Sequence, residues 1–182
     1  MKMNKEKTVG LFTDIGDTII DEGTEVRDGT GTVIRADCIP GARETMRGIH
    51  AAGYTIVMVA DGTEQSFRNT MRENGLEDIF AARIVSETVG AEKPDERMFR
   101  AAMDALGLTD ADRDRIVMVG NNVKRDIRGA NRMGLCSVLL TWSRRRPFDP
   151  ELPEDRPDHV ISRPEKLLPL LERLEKEKSG DR

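Results

Sequence analysis

Asp14 closes a short apolar run at residues 8–13 and opens the turn Asp14-Ile15-Gly16-Asp17-Thr18. A buried strand that delivers a reactive side chain at its C-terminal edge reads this way. So does an ordinary turn, since Asp and Gly punctuate loops. Three later stretches repeat the theme: Ala60-Asp61-Gly62 ends the apolar run 54–60, Lys93-Pro94-Asp95 leads into a helical segment, and Gly120-Asn121-Asn122, followed by Asp126, ends the run 115–119. In parallel α/β sheets ligands sit outside the carboxyl ends of the strands.

The elements that must position these residues alternate. Strands are expected at 8–13, 54–60, 83–85, 115–119 and 135–140, with a short sixth at 159–161. Residues 25–34 read as two short strands around Asp28-Gly29-Thr30-Gly31, a β-hairpin. Helices are expected from Ile39-Pro40-Gly41 to about Ala52, from Asp61 (with Glu64 as a capping-box-like pair) to Asn74-Gly75, after Asp95 through Leu106, from Gly120 to Met133, and from Pro164 to Glu175. The loop 141–155 is rich in Pro, Arg and acids, and the last residues, 176–182, are expected to fray. Strands alternating with helices imply βαβ units and a mostly parallel sheet.

The 182 residues suit a single domain with a real core, 1–182, in which 8–141 form the main body, 25–34 the hairpin and 142–182 a C-terminal loop, strand and helix. A net charge of −4 argues against a generic nucleic-acid binder. Cys38 and Cys136 are far apart and belong to no metal-type cluster, the pattern of reduced thiols in a cytoplasmic protein. No signal peptide and no bilayer-spanning segment is expected.

The order and spacing of Asp14-Ile15-Gly16-Asp17-Thr18, Ala60-Asp61-Gly62, Lys93-Pro94-Asp95 and Gly120-Asn121-Asn122 with Asp126 resemble the haloacid dehalogenase (HAD) superfamily, over about residues 8–141. The resemblance implies a Rossmann-like three-layer α/β/α fold with a β-hairpin flap after the first strand. It implies Asp14 as the nucleophile toward a phosphoryl group, through an aspartyl intermediate that water hydrolyses. Mg²⁺ is the implied cofactor, with oxygens from Asp14, the Gly16 carbonyl, Asn121 and Asp126, since Mg²⁺ takes oxygen ligands and keeps several waters. Lys93 would neutralise Asp14 and the transferring group as a point charge. The phosphate site falls on Ala60, Asp61, Gly62 and Lys93, with backbone N–H groups opening a helix. Lys93 as a solvated lysine and Asp126 as an acid favoured by a helix dipole are the plainer alternatives. Asn122 reads as a helix cap and Gly129-Ala130 as close packing.

Departures from the family pattern carry equal weight. The position of the usual acid–base Asp is Gly16, which cannot move a proton, and such a loss costs about 10²–10⁴ in rate. Asp17 should point elsewhere in so tight a turn. Ala60 lacks the usual phosphate-binding hydroxyl, for which Thr63 is a possible replacement, and Asn121 replaces an acid. Three outcomes suit these losses: a slow phosphatase, a catalytically weak or inactive binding or scaffold protein, and a dehalogenase-type hydrolase. No separate cap domain fits between residues 20 and 54 or between 62 and 93, so an open site is expected, which ranks the dehalogenase last. The implied partner is a phosphorylated substrate, bulky or macromolecular ones included, or a second copy of the chain over the site. Arg144, Arg145 and Arg146 either grip substrate phosphates or form a charged loop.

Overall fold

The apolar runs become the centre of one sheet because each residue pair along them serves two cores. In the computed structural model, which describes residue 7 and residues 9–179, β1 (Gly10–Thr13), β4 (Thr55–Ala60) and β6 (Ile116–Gly120) are buried almost throughout. The start of the first strand expected at Thr8 lies outside the described residues. Alternate side chains part to opposite faces, as the strand period of two requires. Leu11, Ile56, Met58, Val117 and Val119 pack on one face with Met46, Ile49 and Leu171; Phe12, Val57, Val59, Ile116 and Met118 pack on the other with Met98, Phe99 and Met103. Strands buried on both faces are the mark of a parallel sheet covered by helices.

The remaining main strands are β5 (Phe80–Val85), β7 (Cys136–Leu140) and β8 (His159–Ile161), giving the order β5-β4-β1-β6-β7-β8. Every pairing in this six-stranded sheet is parallel. The Rossmann-like expectation holds, and the six-stranded sheet is wholly parallel, while the hairpin β2 (Val26–Arg27) and β3 (Val33–Arg35) pairs antiparallel. The hairpin carries a register shift, and follows β1 as expected of a flap. Helices α1 (Ala42–Ala51), α2 (Glu64–Glu73), α3 (Ser86–Val89), α4 (Glu96–Ala105), α5 (Arg128–Arg132) and α6 (Leu167–Ser179) complete the three layers.

Several sequence-based expectations are corrected. The third main strand starts at Phe80, three residues before the expected Arg83; it is an edge strand of mixed exposure, so little periodicity marks its first half. The cap of α2 is Thr63, whose hydroxyl accepts from Ser66 N, and not Asp61. Gly62, at φ 152°, turns the chain between them and takes Asp61 out of capping range. The helix after Gly120 begins as a π-helical turn at Val123–Ile127, capped by Asn122, and ends at Arg132. The last helix runs on to Ser179, after a 3-10 turn at Pro164–Lys166.

Candidate active site

Asp14 leaves the sheet directly after β1, and its backbone N–H still donates to Val119 O of the neighbouring strand at 2.9 Å. That tie aligns the ends of β1 and β6, so Asp14 and the segment bearing Asp126 emerge side by side. Asp126 lies in the π-helical turn after β6, and its Oδ2 accepts from Asn122 N at 3.0 Å. Gly120 permits this approach, because a Cβ there would overlap the Asp126 carboxylate. Lys93 arrives from the stretch between α3 and α4. Its Nζ lies 2.7 Å from Asp14 Oδ1, 2.7 Å from Asp126 Oδ1 and 2.8 Å from Val59 O.

These three residues therefore converge. Lys93 and Asp126 side chains are each 1 % exposed and Asp14 is 14 % exposed. A lysine this buried excludes the solvated alternative. Burial alone would lower the Lys93 ammonium, but the charges of Asp126, Asp14 and Asp61 outweigh it and raise its pKa. Burial pushes the Asp126 carboxyl up, against the pull of Lys93. These two directions oppose each other, because only an ionised Asp126 raises Lys93. The lysine prevails, since an ammonium between two carboxylates at contact distance keeps its proton and holds both anions. Asp126 Oδ1 meets Lys93 as an ion pair and has no further partner among the described residues. Asn121, 2 % exposed, leaves its Nδ2 without a hydrogen-bond partner among the described residues.

The second motif is built differently from expectation. Ala60 is buried and ends β4. Asp61 ties the site together, with Oδ1 accepting from Lys93 N at 2.9 Å and Oδ2 from Arg125 Nη1 at 3.1 Å. Burial raises the Asp61 carboxyl, opposed chiefly by Lys93. The Gly62 N–H, expected to face an anion, donates to Ser86 Oγ at 2.9 Å. The Thr63 hydroxyl is engaged with Ser66 Oγ at 2.7 Å and caps α2.

A cavity of about 260 Å³ opens over this cluster, lined by Asp14, Gly16, Glu22, Lys93, Asn121 and Asp126, with Asp61 and Arg125 at one side. Its opposite wall is the flap, through Glu25, Arg27 and residues Thr30 to Val33. Where the sequence suggested an open rim, the hairpin encloses one side.

Asp17 does point away, as expected. It is fully buried at φ 49°, and its Oδ1 accepts from Glu22 N and from Arg145 Nη1. Arg145 also reaches Asp21 Oδ1 at 2.8 Å, so it is a tie for the loop after β1. Arg146 faces the cavity and stands 3.6 Å from Glu22, while Arg144 is exposed. Glu22 is the residue that the motif pattern missed. It sits in a 3-10 turn, Glu22–Thr24, and desolvation, then the charge of Asp17, raises its pKa. No sequence signal marks it, since only the folded loop returns it to the site.

A profile of the haloacid dehalogenase-like hydrolases matches residues 3–134. The chain belongs to that family of hydrolases. Among its curated relatives, the glyceraldehyde 3-phosphate phosphatase of Methanopyrus kandleri is 29 % identical over 138 residues, 76 % of this chain and 58 % of the relative. The phosphoserine phosphatase of Thermus thermophilus is 32 % identical over 118 residues, 64 % of this chain and 45 % of the relative. The chain thus spans roughly half the length of these relatives. The fold matches the magnesium-bound HAD-hydrolase YfnB of Bacillus subtilis at TM-score 0.73 and 17 % identity, over 94 % of this chain and 99 % of that one. Among the described residues no helix is long and apolar enough to cross a membrane.

Proposed function

We propose that the protein is a phosphatase in which Asp14 attacks the phosphorus of a phosphate ester, with Mg²⁺ as cofactor. One observation carries the reading: a single buried ammonium, Lys93, lies 2.7 Å from the carboxylates of both Asp14 and Asp126. The phosphatase names of the relatives support it. A carboxylate approaching a phosphate dianion meets like-charge repulsion, and cations fixed in a water-poor site relieve it without reorganisation.

Lys93 holds Asp14 Oδ1, while Oδ2 takes only a 3.3 Å contact from the Thr18 hydroxyl. Oδ2 is therefore the freer oxygen to attack. The aspartyl phosphate that forms is an acyl phosphate, which water then hydrolyses.

The residues present fit Mg²⁺. That ion needs only one or two carboxylates when substrate phosphate and water complete its octahedron. Asp14, the Gly16 carbonyl and Asp126 would hold it, with Asn121 facing it as a neutral partner. Asp126 Oδ1, which the structure pairs with Lys93 alone, is the oxygen such a cation would share. Among the described residues no group of three His, Cys, Asp or Glu side chains could hold a metal, so the site offers two carboxylates and neutral oxygens. When bound, the cation would offset the charge shared by nucleophile and phosphoryl group.

The cavity volume favours a small phosphate ester; a macromolecular one must present its phosphoryl group past the flap. Gly16 supplies no proton, which makes turnover of esters with basic leaving groups slow unless another group serves. Cys38 and Cys136 are free thiols, the state a cytoplasmic setting maintains, and burial holds Cys136 up at about 11, which keeps it protonated and unreactive.

Turnover of an aryl phosphate with Mg²⁺, abolished by Asp14→Asn and by EDTA, is the expected result. Activity that survives Asp14→Asn contradicts the reading. A second reading, a binding protein on the same fold, draws on the neutral Asn121 in a metal-facing place. It predicts no turnover across a broad panel of phosphate esters.

A further inference from the structure

The space that a side chain at position 16 would take is filled by another carboxylate. A Cβ built on Gly16 would overlap Glu22 Oε1 and would stand 3.0 Å from Glu22 Cδ and 3.2 Å from its Cγ. Glu22 is held there from its backbone, since its N–H donates to Asp17 Oδ1 at 3.1 Å. Asp17, the acceptor of that bond, and Asp21, which precedes Glu22, are both clamped by Arg145. The loop is thus pinned so that the Glu22 side chain enters the cavity beside Asp14.

The other acids of the cavity are committed. Asp126 is bound to Asn122 N and Lys93, Asp61 to Lys93 N and Arg125, and Glu25 to Arg27. The Glu22 carboxylate has a longer ion pair, 3.6 Å to Arg146 Nη2, and stays half-exposed to the cavity. An alkoxide is a poor leaving group unless it receives a proton as it departs, and a positioned carboxyl supplies one.

We propose that Glu22 is the acid–base residue of the site, an assignment that rests on the phosphatase reading above. As the Asp14 oxygen bonds to phosphorus and the ester P–O bond breaks, the Glu22 carboxyl gives its proton to the departing oxygen, releasing the alcohol. The Glu22 carboxylate then takes a proton from the water that attacks phosphorus, and the bond to Asp14 breaks. The sum is ester plus water giving alcohol plus phosphate, with Glu22 and Asp14 returned to their starting states.

The test is the ratio of kcat/KM for an alkyl phosphate to that for p-nitrophenyl phosphate, measured on the full chain with Mg²⁺. The nitrophenolate leaves without a proton, and a ratio is insensitive to the fraction of active protein. Glu22→Gln is expected to lower the ratio by about 10²-fold or more. Moving the carboxylate, with Gly16→Asp added to Glu22→Ala, is expected to raise the ratio above that of Glu22→Ala alone. An unchanged ratio in Glu22→Gln overturns the assignment while leaving Asp14 in place. A wild-type protein that turns over neither ester overturns the phosphatase reading itself.

Discussion

The ammonium of Lys93 lies 2.7 Å from Asp126 Oδ1, with both side chains 1 % exposed. A pair so sealed from water is costly to break, because the survivor becomes an uncompensated buried charge. Asp14 at the same distance makes Lys93 the common partner of two acids. Lys93→Met therefore leaves two carboxylates facing each other. It should remove turnover and lower stability by about 3–5 kcal/mol, read from denaturant melts. Adding Asp126→Asn should return part of that stability and none of the activity. Two losses that simply add would show that the pair is not coupled.

Asn121 stands where a third acid would raise the charge available to a cation. Asn121→Asp should make thermal melting more sensitive to Mg²⁺, with apparent affinity rising about tenfold, equivalent to about 1.4 kcal/mol. In EDTA the same variant should melt below the wild type, because a further carboxylate then sits beside Asp126. Equal Mg²⁺-induced shifts in the two proteins would place the cation elsewhere.

Gly129 lets α5 lie against the segment that carries Lys93. A Cβ there would run into the ring of Phe99 and come within 3.3 Å of Pro94 Cα. Phe99 is fully buried and has nowhere to go. Gly129→Ala should cost about 1–3 kcal/mol by overpacking, measured as a lower denaturant midpoint, and should reduce activity by displacing Lys93. A wild-type midpoint would mean that the ring adapts.

Asp155 ties the C-terminal loop to α5. Its Oδ1 accepts from Arg128 Nε at 2.7 Å and its Oδ2 from Arg128 Nη2 at 3.0 Å. The Arg128 hydrogen bonds, helped by the amides of Leu152 and Glu151, hold the carboxyl at about 2 against burial. A carboxyl lowered by folding stabilises the native state fully above its unfolded pKa, near 4. That contribution disappears as pH falls through about 2. Asp155→Asn should therefore lose about 2–3 kcal/mol at pH 7, and the gap to the wild type should close between pH 4 and pH 2. A gap independent of pH would mean that the charge is not what matters.

Much of the site was legible because its residues stand at strand ends, where apolar runs stop. Asp14 announces itself that way, Asp126 follows in the helical turn after β6, Lys93 stands further off, past the short helix α3, and Asn122 and Asp17 behave as their turn chemistry requires. Asp61 and Glu64 stand at capping-box spacing, yet the positive φ of Gly62 hands the cap to Thr63 and frees Asp61 for Lys93 N and Arg125. Glu22 and Asp155 were invisible for a common reason: the contacts that define them are made by the folded loop. The bridge between Gly16 and Ile20 and that between Ile20 and Cys38 bend the chain so that Glu22 returns over Gly16. The partner of Asp155 is 27 residues away, in no pattern that periodicity detects.

Asp14 is the group proposed to become phosphorylated. The most direct measurement is rapid quenching of the Mg²⁺-loaded protein with a phosphate-labelled aryl ester, followed by peptide mapping. Label on the peptide bearing Asp14, absent from Asp14→Asn, is the predicted result. Steady turnover with the label on another residue would contradict it.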